Sequence, residues 1–315
     1  MATERRRQQP VHSAATSDEP TVPSRPSPPA HAKSLTLLYD ELDPWQKDNF
    51  FIQTGYRRLQ YSYLGCIRSL GYIHNETGNV FSHLLGALIF IASFFFTFSY
   101  VLGEAKLLWG DIIFISIFLC SAITCLGLSA FFHLVVCHSQ HVCRIWNKAD
   151  YAGIVILICG STYPSIYYGL QCYPTERIIY LVGITVFGAG TMYTSLSNHF
   201  ATPEYRIIRT SNFVALGLSA IIPVAHIMHL QGFTHTNSAV SFWYLIAMAA
   251  CYLIGAFIYA SRVPERWYPG SFDIWGHSHQ IFHVLVVSAA IFHYFGLIRA
   301  CKFWRETSPT CPLSG

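Results

Sequence analysis

Residues 276–299 read GHSHQIFHVLVVSAAIFHYFGLIR, an apolar run entered through closely spaced histidines. A helix needs about 20 residues to cross a bilayer, and this run is long enough. His279 and His283 are four residues apart at its entrance. On a helix both imidazoles project from one face at roughly 6 Å separation, which one metal ion can bridge. Two ligands do not make a site, so a third has to come from another helix.

The rest of the chain has the same character. Its 315 residues are 52% apolar, 16% aromatic and 11% charged, with a mean hydropathy of +0.36. This is too apolar for a soluble domain. Apolar spans fall near 80–102, 110–132, 150–170, 178–197, 213–230, 241–260 and 278–299, joined by short loops. The expected fold is an all-α membrane protein, a seven-transmembrane helix bundle over 80–299. Residues 1–34, rich in Pro, Ser, Thr and Arg, are expected to be a disordered tail. No apolar stretch of signal-peptide type follows Arg5, Arg6 and Arg7, so the first span is expected to direct insertion. Residues 35–79 mix aromatics with Lys and Arg, as in a helix on the membrane surface, a cap on the bundle, or a simple linker. Nothing points to a nucleic-acid partner.

Charge sets the expected orientation. The loops 133–149, 198–212 and 261–277 carry Arg144 and Lys148, Arg206 and Arg209, and Arg262 and Arg266. The alternate loops hold Lys106 and Arg177 only. Arg57, Arg58 and Arg68 precede the first span, so the amino terminus falls on the richer, cytoplasmic side. After seven crossings the short tail 300–315 lies outside, although Arg299, Lys302 and Arg305 weigh the other way.

That topology selects ligands. The second span ends at His133, the third is expected to start at Asp150, and the seventh starts at His279 and His283, all at cytoplasmic helix ends. Ionisable groups in spans are costly and tend to face the bundle interior. Three imidazoles, an open position for water and a nearby carboxylate make the pattern of a catalytic zinc site. Ser129, one turn before His133, is placed to hydrogen-bond that water or a substrate carbonyl. His83, also at a cytoplasmic helix end, competes for the third ligand position. His74, His138, His141, His199 and His277 read as interfacial side chains with their polar tips toward water. His226, His229, His235 and His293 fall toward the outer half.

The remaining signals are weaker. Ten cysteines are scattered, and Cys172, Cys301 and Cys311 fall on the outer side, where one disulfide is expected at most. Asn75-Glu76-Thr77 has the glycosylation pattern but lies on the cytoplasmic side, so it is expected to be unmodified. Pro164 and Pro223 lie within spans and are expected to kink them beside a cavity.

Six motifs in one order then resemble the adiponectin receptor branch of the progestin and adipoQ receptor family, also called haemolysin III-related. They are Ile73-His-Asn-Glu-Thr-Gly-Asn79, Ser129-Ala-Phe-Phe-His133 with Cys137-His-Ser139, Asp150-Tyr-Ala-Gly153, Phe200-Ala-Thr-Pro203, Val263-Pro-Glu-Arg266 and Ser278-His-Gln-Ile-Phe-His-Val284. The resemblance covers about 40–299. It implies seven helices, an internal amino terminus, and a zinc held by His133, His279 and His283 with Asp150 and Ser129 beside its water. It also implies a ceramidase-type hydrolysis of lipid amides, with roles in lipid and zinc homeostasis and signalling.

Two functions remain in view. One is a zinc-dependent amide hydrolase acting on a ceramide-like membrane lipid. The other is a non-catalytic receptor whose zinc is structural and which answers an extracellular protein ligand. A three-ligand site with an acid beside it favours hydrolysis, since structural zinc usually has four protein ligands. The expected location is the plasma membrane, with the endoplasmic reticulum as the alternative.

Overall fold

The computed structural model describes residues 34–101, 103, 107–197, 203–306 and 311. The expected disordered tail, His199 and the Phe200-Ala-Thr202 part of its motif lie outside the described residues, apart from Ser34. Nine α-helices run among the described residues: α1 Tyr63–Arg68, α2 Thr77–Phe96, α3 Trp109–Val135, α4 Gln140–Gly169, α5 Pro174–Leu196, α6 Arg206–Leu218, α7 Ile221–Ala239, α8 Phe242–Ser261 and α9 Ser278–Glu306. Six helical segments are long and apolar enough to cross a membrane, with Ile207–Ala239 counted as one across the join between α6 and α7. The 30-residue α4 makes the seventh long segment. Its polar first turns keep its average hydropathy down.

Sequential helices pack as neighbours. At the α3–α4 contact a Cβ on Gly160 would collide with Ser121 Oγ, and one on Gly153 would lie 3.0 Å from Cys125 Cα. Small residues there let two helices approach closely, as packing inside a bilayer favours. Leu119, Ala122 and Leu126 are fully buried in the core beside them.

Three helix boundaries differ from the expected ones. α4 begins at Gln140, so Asp150 sits well inside the helix rather than at its start. α9 continues past Arg299 to Glu306. Its polar end is held by Arg305, which pairs with the fully buried Asp111 of α3 at 2.8 Å. The fifth span, expected as one run, breaks at Ser219–Ala220 and has a non-helical Gly232 (φ 73°) further on. Hydropathy marks where a helix is apolar, not where its backbone ladder begins, ends or breaks.

Residues 35–75 form a cap. Thr36–Leu37 (β1) pairs antiparallel with Tyr56–Arg57 (β2). The loop after β1 is fastened to the α8–α9 connection: Gln53 N and Thr54 Oγ1 donate to Asp273 at 2.9 and 2.8 Å, Asn49 Nδ2 donates to Glu265 at 3.1 Å, and Gly270 N donates to Phe51 O at 3.0 Å. At the opposite end of the bundle Cys172 is disulfide-bonded to Cys311, and Cys301 is a free, buried thiol.

Candidate metal centre

Antiparallel packing brings the last turn of α3 beside the first turns of α9. His133, His279 and His283 meet there, each offering a ring nitrogen, with those atoms within 4.8 Å of one another. His133 Nε2 lies 3.2 Å from His279 Nε2.

The outward-facing nitrogens explain this arrangement. His133 Nδ1 lies 2.7 Å from Glu76 Oε2, so Nδ1 carries the proton and Nε2 presents a lone pair. His283 Nδ1 lies 3.2 Å from Asn79 O, which fixes the same tautomer, and 3.3 Å from Ser82 Oγ. Two lone pairs facing a shared centre repel unless a cation lies between them. Three imidazoles, two of them held by such outer partners, fit a zinc ion.

Glu76 stands one residue before α2 and is braced in turn by Asn79 Nδ2 at 2.6 Å. Burial alone would raise its carboxyl, but the His133 imidazole, the Asn79 amide and the Arg57 charge hold it well below the ordinary carboxylate range. Arg57, itself buried, donates to the backbone carbonyls of His133 and Leu134 and to Ser69 Oγ. The sequence reading missed Glu76, Asn79, Ser82 and Arg57. The available signal was a carboxylate, an amide and two hydroxyls packed into the seven residues Glu76–Ser82 that open the first span.

Ser129 and Asp150 are both buried and lie within hydrogen-bonding reach of each other. With His279 and His283 they line one cavity of about 1040 Å³ between α3, α4, α6, α7, α8 and α9, whose other walls are mostly apolar. His83 lines it too, stacked flat on His283 at 3.6 Å between ring centroids. It stands against the histidine group, not in it.

Two histidines expected at the interface are buried instead. His74 accepts from Glu76 N at 3.1 Å, and His277 Nε2 lies 3.2 Å from Asn75 O. They lie where the cap meets the start of α9, out of reach of water, and burial pushes His74 down to about 4 and lowers His277 as well. Asn75 of the glycosylation pattern is buried with them.

Residues 71–294 match the family model described as Haemolysin-III related. The chain is 41% identical over 263 residues to the adiponectin receptor protein of Drosophila melanogaster, covering 82% of this chain and 58% of the relative. It thus spans less than two thirds of that longer protein. It is 38% identical over 281 residues to the ADIPOR-like receptor IZH2 of Saccharomyces cerevisiae, covering 88% of each. A third relative, heptahelical transmembrane protein 3 of Arabidopsis thaliana, is 35% identical over 315 residues, covering 87% of this chain and 90% of its own length. A bundle of apolar helices, a cluster of three histidines at one end and these likenesses converge: the chain belongs to the haemolysin III-related family, as an adiponectin-receptor-like multi-pass membrane protein.

Proposed function

We propose that the protein is a zinc-dependent hydrolase of membrane lipid amides, of the ceramidase type. One observation carries this reading: two histidines of a trio fit for zinc, an acid and a hydroxyl line a single large, mostly apolar cavity. Polar chemistry at the wall of an apolar chamber suits a substrate with one polar linkage and long hydrocarbon chains.

Bound zinc would supply Lewis-acid activation of a water at an open coordination position. The chain does the rest. Apolar walls on α6, α7 and α8 hold the acyl chain and exclude bulk water. Asp150 takes the proton from the attacking water and delivers it to the amine nitrogen as the C–N bond breaks, leaving a fatty acid and a sphingoid base. Ser129, beside Asp150, donates to the amide carbonyl oxygen or orients the water. Glu76 and Asn79 keep the His133 and His283 rings in register.

We also place the histidine end of the bundle in the cytoplasm, in the plasma membrane or the endoplasmic reticulum. The Lys and Arg asymmetry supports this, as does the disulfide at the other end. The names of the relatives support a second reading, a receptor for an extracellular protein with zinc as a structural pin. The cavity beside the trio favours hydrolysis.

The test is Asp150→Asn. It should keep folding and zinc, yet lower ceramide hydrolysis by about a hundredfold or more, the size of a lost general acid–base group. Unchanged hydrolysis would remove Asp150 from the mechanism and the acid–base reading with it.

A further inference from the structure

The histidine end of the bundle also holds two thiols that the hydrolytic reading does not use. Cys66 in α1 is fully buried, and Cys137, just beyond α3, is 3% exposed. Their sulfurs lie 3.7 Å apart, in direct contact. Several bonds keep them there. Gln60 N and Tyr61 N donate to the carbonyls of Cys137 and His138 at 2.8 and 3.0 Å, stitching the cap to the turn after α3. Ser69 Oγ donates to Cys66 O at 2.6 Å, and Arg57 Nη1 donates to that same Ser69 Oγ at 2.9 Å.

The two thiols differ in character. Contact with Cys66 and the Arg57 charge lower Cys137 against its burial, while the same contact and burial push Cys66 up. That asymmetry favours the thiolate on Cys137, as in dithiols that close to disulfides.

We propose that Cys66 and Cys137 form a redox modification site, a dithiol that hydrogen peroxide converts to a disulfide tying α1 and the cap to the end of α3. The Cys137 thiolate attacks a peroxide oxygen, the O–O bond breaks, and a sulfenic acid forms with release of hydroxide, which takes up the proton Cys137 gave up. The Cys66 sulfur then attacks the sulfenic sulfur; the S–O bond breaks, and the Cys66 proton leaves with the hydroxyl as water. Two thiols lose two electrons and two protons, and the peroxide is reduced to two waters. The bond would lock the layer in which Arg57 holds the His133 carbonyl. The Cys172–Cys311 disulfide lies at the other end of the bundle and takes no part.

The experiment uses the full chain in lipid nanodiscs, treated with graded hydrogen peroxide and then unfolded, alkylated and mapped as unreduced peptides. The expected product is a Cys66–Cys137 cross-linked peptide, lighter by two hydrogens than the thiol pair, with both residues protected from alkylation. In Cys66→Ser the reaction should stop at a dimedone-trappable sulfenic acid on Cys137; in Cys137→Ser, Cys66 should stay a thiol at the same dose. Full alkylation of both residues in the treated wild type would overturn the assignment. So would a Cys137–Cys143 cross-link, or a sulfinic acid on Cys137 without a cross-link. Equal oxidation of Cys66 in Cys137→Ser would overturn the order of attack.

Discussion

Glu76 supports the candidate metal centre from outside the histidine trio. Its carboxylate holds His133 Nδ1 at 2.7 Å and so decides which ring nitrogen faces the other two histidines. Outer partners of this kind set ligand tautomer and basicity, and losing one typically costs 10–100-fold in metal affinity. Glu76→Gln should therefore weaken zinc binding by about 10- to 100-fold while the helices remain folded, measured by competition with a chromophoric chelator. An affinity equal to that of the wild type would show that Glu76 does not orient the ligand. The trio itself was legible in the sequence, because four-residue spacing and a count of crossings put His133, His279 and His283 at one depth. Glu76 was not. Its partner is 57 residues away in the chain, and no periodicity links a loop carboxylate before α2 to a histidine at the end of α3.

At the scale of the element, the start of α9 carries the site. Ser278 opens the helix, and its backbone N donates to Glu265 Oε2 at 2.7 Å while its hydroxyl donates to Oε1 of the same fully buried carboxylate. An amide that would otherwise be orphaned at a helix start is thereby satisfied next to His279. Asn49 of the cap bonds to the same carboxylate, so the cap, the α8–α9 connection and the ligand helix form one fastened unit. Glu265→Ala leaves these donors buried without a partner, which costs about 1–3 kcal/mol for each such group. Thermal unfolding should shift clearly downward, and added zinc should recover part of the loss. A melting curve identical to the wild type would exclude the clamp. This arrangement was invisible in the sequence because irregular segments carry no period. Helix lengths were misjudged for a related reason: the polar first turns of α4 and the charged last turns of α9 lower hydropathy without ending the helix.

On the scale of the whole molecule, the two ends of the bundle differ in chemistry. One carries the cap, the histidine trio and a free thiol pair; the other carries a disulfide and the Asp111–Arg305 pair. The expected orientation puts the first end in the cytoplasm. A tag at the amino terminus should be detected only after permeabilisation, and one following Gly315 on intact cells or from the lumenal side. Both tags on one side would refute the seven-crossing topology. The seven-helix architecture was legible because each crossing needs its own apolar run. The cavity was legible only in part: Pro223, expected to kink its span beside a cavity, lines it, but its extent arises from the broken α6–α7 segment and from helices that are distant in sequence.

The central claim is that the trio holds a zinc that serves hydrolysis. The most direct measurement is ceramide hydrolysis by purified protein, with metal content determined on the same sample. It is repeated after chelation, after return of zinc, and on His283→Ala. The account predicts one zinc per chain, activity lost with the metal and regained with it, and neither zinc nor activity in the variant. A preparation holding stoichiometric zinc that hydrolyses no ceramide faster than the stripped protein would contradict the account.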